Sequence, residues 1–155
     1  MRTAVDIQNY LPHRPPMLMV DLILNVDASF VETVFFIRED NIFVSNDVFI
    51  EAGLIENTAQ TCSAIVGKKY FFDENGSENE NIHVIGFISA IKNLKIHVLP
   101  KTGETIVTKA NLVSKFEGDD YTLCTMSCES LVEDKILLEC EINLFIQKTI
   151  SPVAS

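Results

Sequence analysis

Apolar and polar side chains alternate along four long segments in the second half of the chain. The alternation is clearest in residues 135–147, where apolar residues take every second position (Ile136, Leu138, Cys140, Ile142, Leu144 and Ile146) and Glu139, Glu141, Asn143 and Gln147 lie between them. Successive side chains of a strand point to opposite faces, so this pattern predicts a sheet packed on one side and solvated on the other. The four strands are predicted at residues 83–99, 104–116, 121–132 and 135–147.

Two shorter strands are predicted earlier in the chain. Residues 22–26 and 30–37 flank the turn Asp27-Ala28-Ser29, and the second segment is rich in β-branched and aromatic residues. Short turn segments at residues 100–103, 117–120 and 133–134 separate the later strands. Parallel strands need a crossover of roughly a dozen residues or more, so neighbouring strands should be antiparallel.

A helix is predicted between these two groups of strands, at residues 49–67. It would have about five turns, with Ser45-Asn46-Asp47 as candidate cap and Gly67 with two lysines at its end. Apolar or small residues occupy nearly every angular position, so the helix should be buried on all sides. One long helix facing a curved antiparallel sheet is an α+β fold.

Three polar residues interrupt this apolar helix and are the first candidates for chemistry. Glu56 and Gln60 are four residues apart and therefore neighbours on one face, with Asn57 beside them. A carboxylate in an apolar setting requires a partner or a functional role. Glycine-rich phosphate-binding motifs, nucleophile elbows and metal-binding helix motifs are absent from the sequence.

Composition narrows the class of protein. The length of 155 residues fits one domain, predicted at residues 1–148 with a frayed tail at 149–155. No run is long enough to cross a bilayer and no signal-peptide core is evident, so we expect a cytoplasmic protein with no membrane partner. The formal charge of -10 disfavours nucleic acid. Acidic residues cluster at 73–81, where a mobile loop is expected.

The cysteines and two of the histidines are expected to be structural. Cys62, Cys124, Cys128 and Cys140 form no CxxC pair and have no histidine at zinc-like spacing, so neither a metal nor a redox cofactor is predicted. Buried free thiols are the expected state. His83 and His97 lie in a predicted strand, where surface exposure or a bond to a neighbouring side chain is expected.

Several segments resemble the β-hydroxyacyl-acyl carrier protein dehydratases. The loop Leu11-Pro12-His13-Arg14 resembles the opening of that family, and Glu56-Asn57-Thr58-Ala59-Gln60 is similar to the glutamate-x-x-alanine-glutamine of its helix. Residues 86–95, followed by Pro100 and Gly103-Glu104, are similar to its third strand and proline-glycine-acid turn. The proline-rich opening also resembles the branch of the family associated with aryl polyene pigments.

This resemblance implies a hotdog fold, in which the sheet wraps the long helix. It also implies a homodimer that joins the two sheets, often assembled as a trimer of dimers, with active sites at the interface. The implied substrate is an acyl thioester of acyl carrier protein or coenzyme A, and no cofactor is implied.

The chain departs from this family at the usual catalytic histidine, which lies fourteen residues before the helix glutamate. That position is Ile42, and residues 41–47 contain no histidine. His13 is the first substitute to consider as base, although a structural role in packing the loop is an alternative.

Dehydration assigns a role to each candidate residue. A base must remove the proton next to the thioester carbonyl, an acid must protonate the departing hydroxyl, and donors must hold the charge on the carbonyl oxygen. Glu56 is the candidate acid and His13 the candidate base, and the amides of Ala52 and Gly53 are candidate donors at the helix start. Asn57, Gln60 and Ser89 complete the predicted substrate-binding set.

Two other functions fit the same residues. A hotdog thioesterase would use Glu56 to direct water or to attack the thioester. A catalytically silent acyl-binding subunit is favoured by the missing histidine, and Glu56 would then be a buried carboxylate paired across the dimer.

Overall fold

A computed structural model describes residues 10–71 and 82–150, and the side chains of residues 10–65 and 85–147. Residues 1–9, the acidic loop at 73–81 and the end of the tail at 151–155 lie outside the described residues. The side chain of His83 lies outside them as well.

The described chain forms eight strands and one helix. They are β1 (Leu22–Val26), β2 (Phe30–Phe36), β3 (Val44–Ser45), β4 (Val48–Phe49), α1 (Glu51–Phe71), β5 (Ile82–Ile96), β6 (Thr105–Glu117), β7 (Tyr121–Val132) and β8 (Lys135–Ile150). The six predicted strands are confirmed, with boundaries that differ by up to three residues. Strand β8 includes two residues, Thr149 and Ile150, that were expected in the tail.

Six strands form one antiparallel sheet in the order β1-β2-β6-β7-β8-β5, and β3 pairs with β4 in a separate hairpin. Helix α1 packs against strands of the large sheet. The predicted α+β class, with one long helix against an antiparallel sheet, is confirmed. Strand β5, which directly follows the helix in the chain, forms an edge of this sheet.

The alternation of side chains places the core between sheet and helix. On β7 the inward residues Thr122, Cys124, Met126, Cys128 and Ser130 are buried. On β8 the inward residues from Leu138 to Ile146 are buried, whereas Ile136, also predicted on that face, is exposed. The register shifts beside Ser130 where β7 meets this end of β8, so the alternation does not extend to Ile136.

The prediction for the start of the helix was wrong. Asn46 and Asp47 have positive φ values of 51° and 68° and form the two-residue turn of the β3–β4 hairpin, so they do not cap the helix. Helix α1 begins at Glu51, and the carbonyl of Ile50 accepts hydrogen bonds from the amides of Gly53 (3.0 Å) and Leu54 (3.2 Å). Asparagine and aspartate tolerate left-handed turns, and here that tendency prevailed over capping.

The prediction for the end of the helix was also wrong, because α1 continues past Gly67 to Phe71. A glycine inside a helix costs only about 1 kcal/mol relative to alanine, which the packed helix tolerates. Most of the helix residues whose side chains are described, 51–65, are buried. The exception is a strip that includes Ala52, Glu56 and Ser63, which are partly or fully accessible. These residues recur at helical spacing, so one helix face is open.

Candidate active site

The loop that carries His13 is held by its own backbone. The Arg14 Nη1 atom donates to the carbonyls of Leu11 and His13, both at 2.8 Å. The amides of Met17 (3.0 Å) and Leu18 (3.1 Å) donate to the carbonyl of Arg14. The guanidinium of Arg14 therefore braces the loop from within and orients the segment that contains His13.

Two polar residues of the helix bind this loop directly. The Asn57 Nδ2 atom donates to the carbonyl of Met19 at 2.7 Å, and the Met19 amide donates to Gln60 Oε1 at 2.7 Å. The Gln60 Nε2 atom donates to the carbonyl of Met17 at 2.8 Å. Three hydrogen bonds thus fix a three-residue stretch of backbone to the helix. Buried bonds of this kind are costly to leave unmade.

Gln60 also orients the carboxylate of Glu56. Its Nε2 atom donates to Glu56 Oε1 at 2.8 Å, one helical turn away. The side-chain amide of Gln60 is therefore shared between the loop and Glu56. Through Gln60, the placement of the loop and the orientation of Glu56 are linked.

Asn57 belongs to a buried network that anchors the helix to the sheet. Thr108 donates to Asn57 Oδ1 at 2.6 Å, and the hydroxyls of Thr108 and Ser130 are 3.0 Å apart. The Ser130 hydroxyl lies 3.3 Å from that of Thr58. Asn57 is fully buried, and both the Nδ2 and the Oδ1 atoms of its side chain are hydrogen bonded. It therefore joins the loop and the sheet to the helix.

A cavity of about 230 Å³ brings the main candidates together. Glu56, Gln60, Ser63 and Ala59 of the helix line it, with His13 from the loop. Gly86, Phe87 and Ile88 of β5 and Leu144 of β8 complete the lining. The structure therefore places His13 and Glu56 of the same chain at one cavity, whose lining combines polar and apolar groups. Such a lining suits an acyl group with a polar head.

His13 lines the cavity with a partly buried imidazole. Its Nδ1 atom is buried and has no hydrogen-bond partner among the described residues. Burial lowers the pKa of His13 from its usual 6.5, the charge of Glu56 raises it in part, and Arg14 lowers it further. The net shift is downward, so the imidazole is neutral at pH 7 and one ring nitrogen is free to accept a proton.

The pKa of His13 gives a prediction that needs no activity assay. We expect nuclear magnetic resonance titration to give His13 a midpoint below 6.5. Glu56→Gln should lower this midpoint further, because the substitution removes a charge that stabilises the imidazolium. Glu51→Gln, at the exposed start of the helix, is the control and should not move it. A midpoint at or above 6.5 would contradict the environment described for His13.

Three other predicted residues lie away from this cavity. Ala52 is exposed at the helix start, and the Gly53 amide already donates to Ile50. A Cβ atom at Gly53 would lie 2.6 Å from Phe43 Cβ and 2.7 Å from the Phe49 ring, so close packing accounts for this glycine. Ser89 lies on β5, and its hydroxyl donates to the carbonyl of Asn143 at 3.2 Å.

The position of the family's histidine lies in the turn just before the β3–β4 hairpin. Its residue, Ile42, is 49% exposed. The hairpin is tied down by a bond from the Phe49 amide to the carbonyl of Pro100 (2.9 Å) and by the hydroxyl of Thr102, which donates to Asp47. No ionisable side chain stands at the position of the usual base.

The remaining histidine and the cysteines have structural surroundings. His97 Nε2 lies 2.9 Å from Glu139 Oε2 on the exposed surface. All four cysteines are free and buried, as predicted. Burial raises the pKa of Cys124, and a hydrogen bond with Cys128 together with burial raises that of Cys140, so neither is a ready thiolate. Among the described residues no group of three potential ligands could hold a metal ion, and no helix is long and apolar enough to span a membrane.

The cavity was only partly foreseeable. Ser63 was missed, although it follows Glu56 by seven residues and therefore shares its helix face. The β5 wall at residues 86–88 was missed for a different reason. Its position beside the helix depends on which sheet edge β5 joins, and local patterns do not contain that information.

One long helix packed against an antiparallel sheet is the architecture of the hotdog class. A family model described as "ApeP-like: ApeP dehydratase" matches residues 5–154, and the chain belongs to this dehydratase family. The predicted resemblance is thereby confirmed.

Individual relatives agree with this assignment. The 3-hydroxyacyl-[acyl-carrier-protein] dehydratase FabZ of Sulfurovum sp. is 27% identical over 92% of this chain and 95% of its own length. FabZ of Chlamydia muridarum is 26% identical over 92% and 91%. The dehydratase heterocomplex ApeI:P from Xenorhabdus doucetiae contains a chain with the same fold, with a TM-score of 0.74, 17% identity and coverage of 96% and 91%.

Proposed function

We propose that the chain dehydrates 3-hydroxyacyl thioesters to trans-2-enoyl thioesters, with Glu56 and His13 as the acid and base. The observation that carries this proposal is the shared cavity, which both side chains line within one chain. The substrate class is supported by the relatives, which are named as 3-hydroxyacyl-acyl carrier protein dehydratases. The reaction also fits the cytoplasmic location expected from the sequence.

The two groups divide the proton transfers between them. The neutral imidazole of His13 takes the proton from the carbon next to the thioester carbonyl, and the electron pair of that bond forms the new double bond. The bond from the next carbon to the hydroxyl oxygen breaks. Glu56, which must hold a proton at this step, gives it to the hydroxyl, which leaves as water. Transfer of a proton from His13 to Glu56 restores the starting state. Gln60 keeps the carboxylate directed into the cavity.

A second chain is proposed to complete the site at β5. This strand is an edge of the sheet, and its large apolar residues are exposed (Ile85, Phe87, Ile88, Ile91 and Leu94). An exposed, long apolar edge strand is a pairing surface. We propose a homodimer in which β5 of one protomer extends the sheet of its partner, and the trimer of dimers is the larger assembly implied by the family. Residues 86–88 would then be near both the cavity and the dimer interface.

Acyl carrier protein is proposed as the carrier, with coenzyme A as the alternative. The chain has a charge of -10, which repels an acidic partner in general. Lys92 and Lys95 are exposed on β5, one of the strands that line the cavity, and their cross-strand partners on β8 are Glu141 and Glu139. These two lysines are the cationic groups that an acidic carrier would meet on this strand, because electrostatic attraction acts mainly on encounter.

An assay with three kinds of thioester tests the reaction. We expect interconversion of 3-hydroxyacyl and enoyl thioesters on acyl carrier protein, without release of free thiol. Release of thiol from plain acyl thioesters would instead support the thioesterase. Saturable binding without either reaction would support the silent acyl-binding subunit. That alternative is favoured by Ile42, which stands where the family has its catalytic histidine. Either of these two outcomes would overturn the proposal.

A further inference from the structure

An apolar row crosses the outer face of the sheet, on the side away from the helix. It consists of Phe87 of β5, Phe145 of β8, Leu123 of β7 and Phe116 of β6. Each is the direct cross-strand partner of the next. The row therefore lies on one face at one end of the sheet, where the sequence alternation predicts a solvated surface.

Ring contacts make this surface continuous. The Phe87 and Phe145 rings are 6.4 Å apart, the Tyr121 and Phe145 rings stack at 5.6 Å, and the Phe116 and Tyr121 rings are 6.0 Å apart. These separations lie in the range of favourable aromatic pairs. The rings are thus fixed relative to one another, and little side-chain entropy remains to be lost when a partner packs on them.

Three of the four residues of the row are exposed. Phe116 is 57% exposed, Phe87 52% and Leu123 41%. Single exposed apolar residues are common, but a contiguous apolar patch marks an interaction site.

A groove of about 310 Å³ lies directly beside the row. Phe116 and Leu123 form part of its wall, and small polar side chains line much of the remainder (Ser89, Ser114, Thr125 and Asn143). The Thr125 hydroxyl donates to Asn143 Oδ1 at 3.0 Å, so these polar groups partly satisfy one another. A protruding aromatic side chain and a groove large enough to receive one therefore stand side by side.

The charge of this surface is unlike that of the whole chain. Among the residues of the row and groove only Lys115 is charged, and its Nζ atom is paired with Glu117 at 2.8 Å. Asp119 and Asp120 lie outside them, in the β6–β7 turn. Two chains with a charge of -10 repel each other, and a neutral face reduces this repulsion.

We propose that a second copy of this chain packs on this outer face, with Phe116 of each copy in the groove of the other. A two-fold symmetric interface uses the same patch on both chains and therefore needs a knob and a groove on one surface, as found here. A charged partner would find no complementary charge on the row. This contact uses the outer face of the sheet, whereas the proposed dimer pairs the β5 edges. The side chain of Phe87 lies on the outer face of β5, where the two contacts meet, so both can occur in a larger assembly. The inference does not depend on the proposed reaction.

Two substitutions at Phe116 test the contact in the full-length chain. In analytical ultracentrifugation, Phe116→Ser should reduce the mass of the assembly about two-fold relative to the wild type. Leu22→Ser, which removes an exposed apolar residue of β1, is the matched control and should keep the wild-type mass. Circular dichroism of each variant checks that the fold is retained, which is expected because both side chains are exposed.

A fluorescence reporter covers the case in which Phe116→Ser impairs folding. The chain has no tryptophan, so Phe116→Trp introduces a unique emitter. Its emission should shift to shorter wavelength as the protein concentration rises, and that of Leu22→Trp should not shift. An unchanged mass for a folded Phe116→Ser, or a concentration-independent emission for Phe116→Trp, would overturn the proposal. Either outcome would show that a second copy of the chain does not cover this face.

Discussion

Glu56→Gln is expected to reduce kcat for dehydration by roughly 10²–10⁴-fold, the usual contribution of a positioned acid or base. The substitution removes the proton donor but preserves the shape of the side chain. The new amide oxygen can still accept the hydrogen bond from Gln60 Nε2, which is 2.8 Å from Glu56 Oε1. The cavity and the loop should therefore remain in place, and the loss should be chemical. Initial rates with a 3-hydroxyacyl thioester of acyl carrier protein measure it.

Glu51→Gln is the matched control for this experiment. Glu51 belongs to the same helix and has the same charge, but it is exposed and does not line the cavity. It should retain wild-type activity. Full activity of Glu56→Gln would show that the carboxylate has another role, and the assigned site would then be wrong.

His13→Asn should also reduce kcat by roughly 10²–10⁴-fold, with a smaller effect on KM. The described bonds that hold the loop come from Arg14, Asn57 and Gln60, and none of them uses the imidazole. The loop should therefore stay docked after the substitution. Added imidazole should restore part of the rate, because a free base can enter the cavity from which the side chain was removed.

His97→Asn controls for the loss of a histidine as such. His97 is exposed and paired with Glu139, away from the cavity residues, so its variant should keep the wild-type rate. If His13→Asn lost thermal stability while its kcat stayed unchanged, His13 would be a residue that packs the loop, which is the alternative considered from the sequence.

The strands were predictable because alternation and turn chemistry are local. Residues 121–132 were predicted with the observed boundaries, since both faces of β7 show a clear pattern. The turn at Asp27 was predicted as well, and its carboxylate accepts bonds from the amides of Ser29 and Phe30. The N-terminal cap of helix α1 was mispredicted for a related reason. Asn46 and Asp47 favour both caps and hairpin turns, and only the pairing of Val44 with Phe49 decides between them.

The site was predictable only where residues share one element. Helical spacing placed Gln60 beside Glu56, and the structure has them hydrogen bonded. By contrast, Asn57 was expected at the substrate and instead bonds Met19 and Thr108, which are 38 and 51 residues distant in sequence. The proximity of His13 to the helix rests on the docking of residues 17–19, a long-range contact that no local pattern contains. The family resemblance supplied the candidates but not their arrangement.

The docking of the loop on the helix has a consequence for how this protein can diversify. Both ionisable groups at the cavity belong to one polypeptide, and Gln60 and Asn57 fix their relative position as that polypeptide folds. If Glu56 and His13 are the acid and base, a diverged duplicate that joined the assembly would leave this pair of its neighbour intact and would change only the part of the site that a second chain supplies at β5. Related chains could therefore evolve to form mixed assemblies in which Glu56 and His13 of one site are still encoded by one gene.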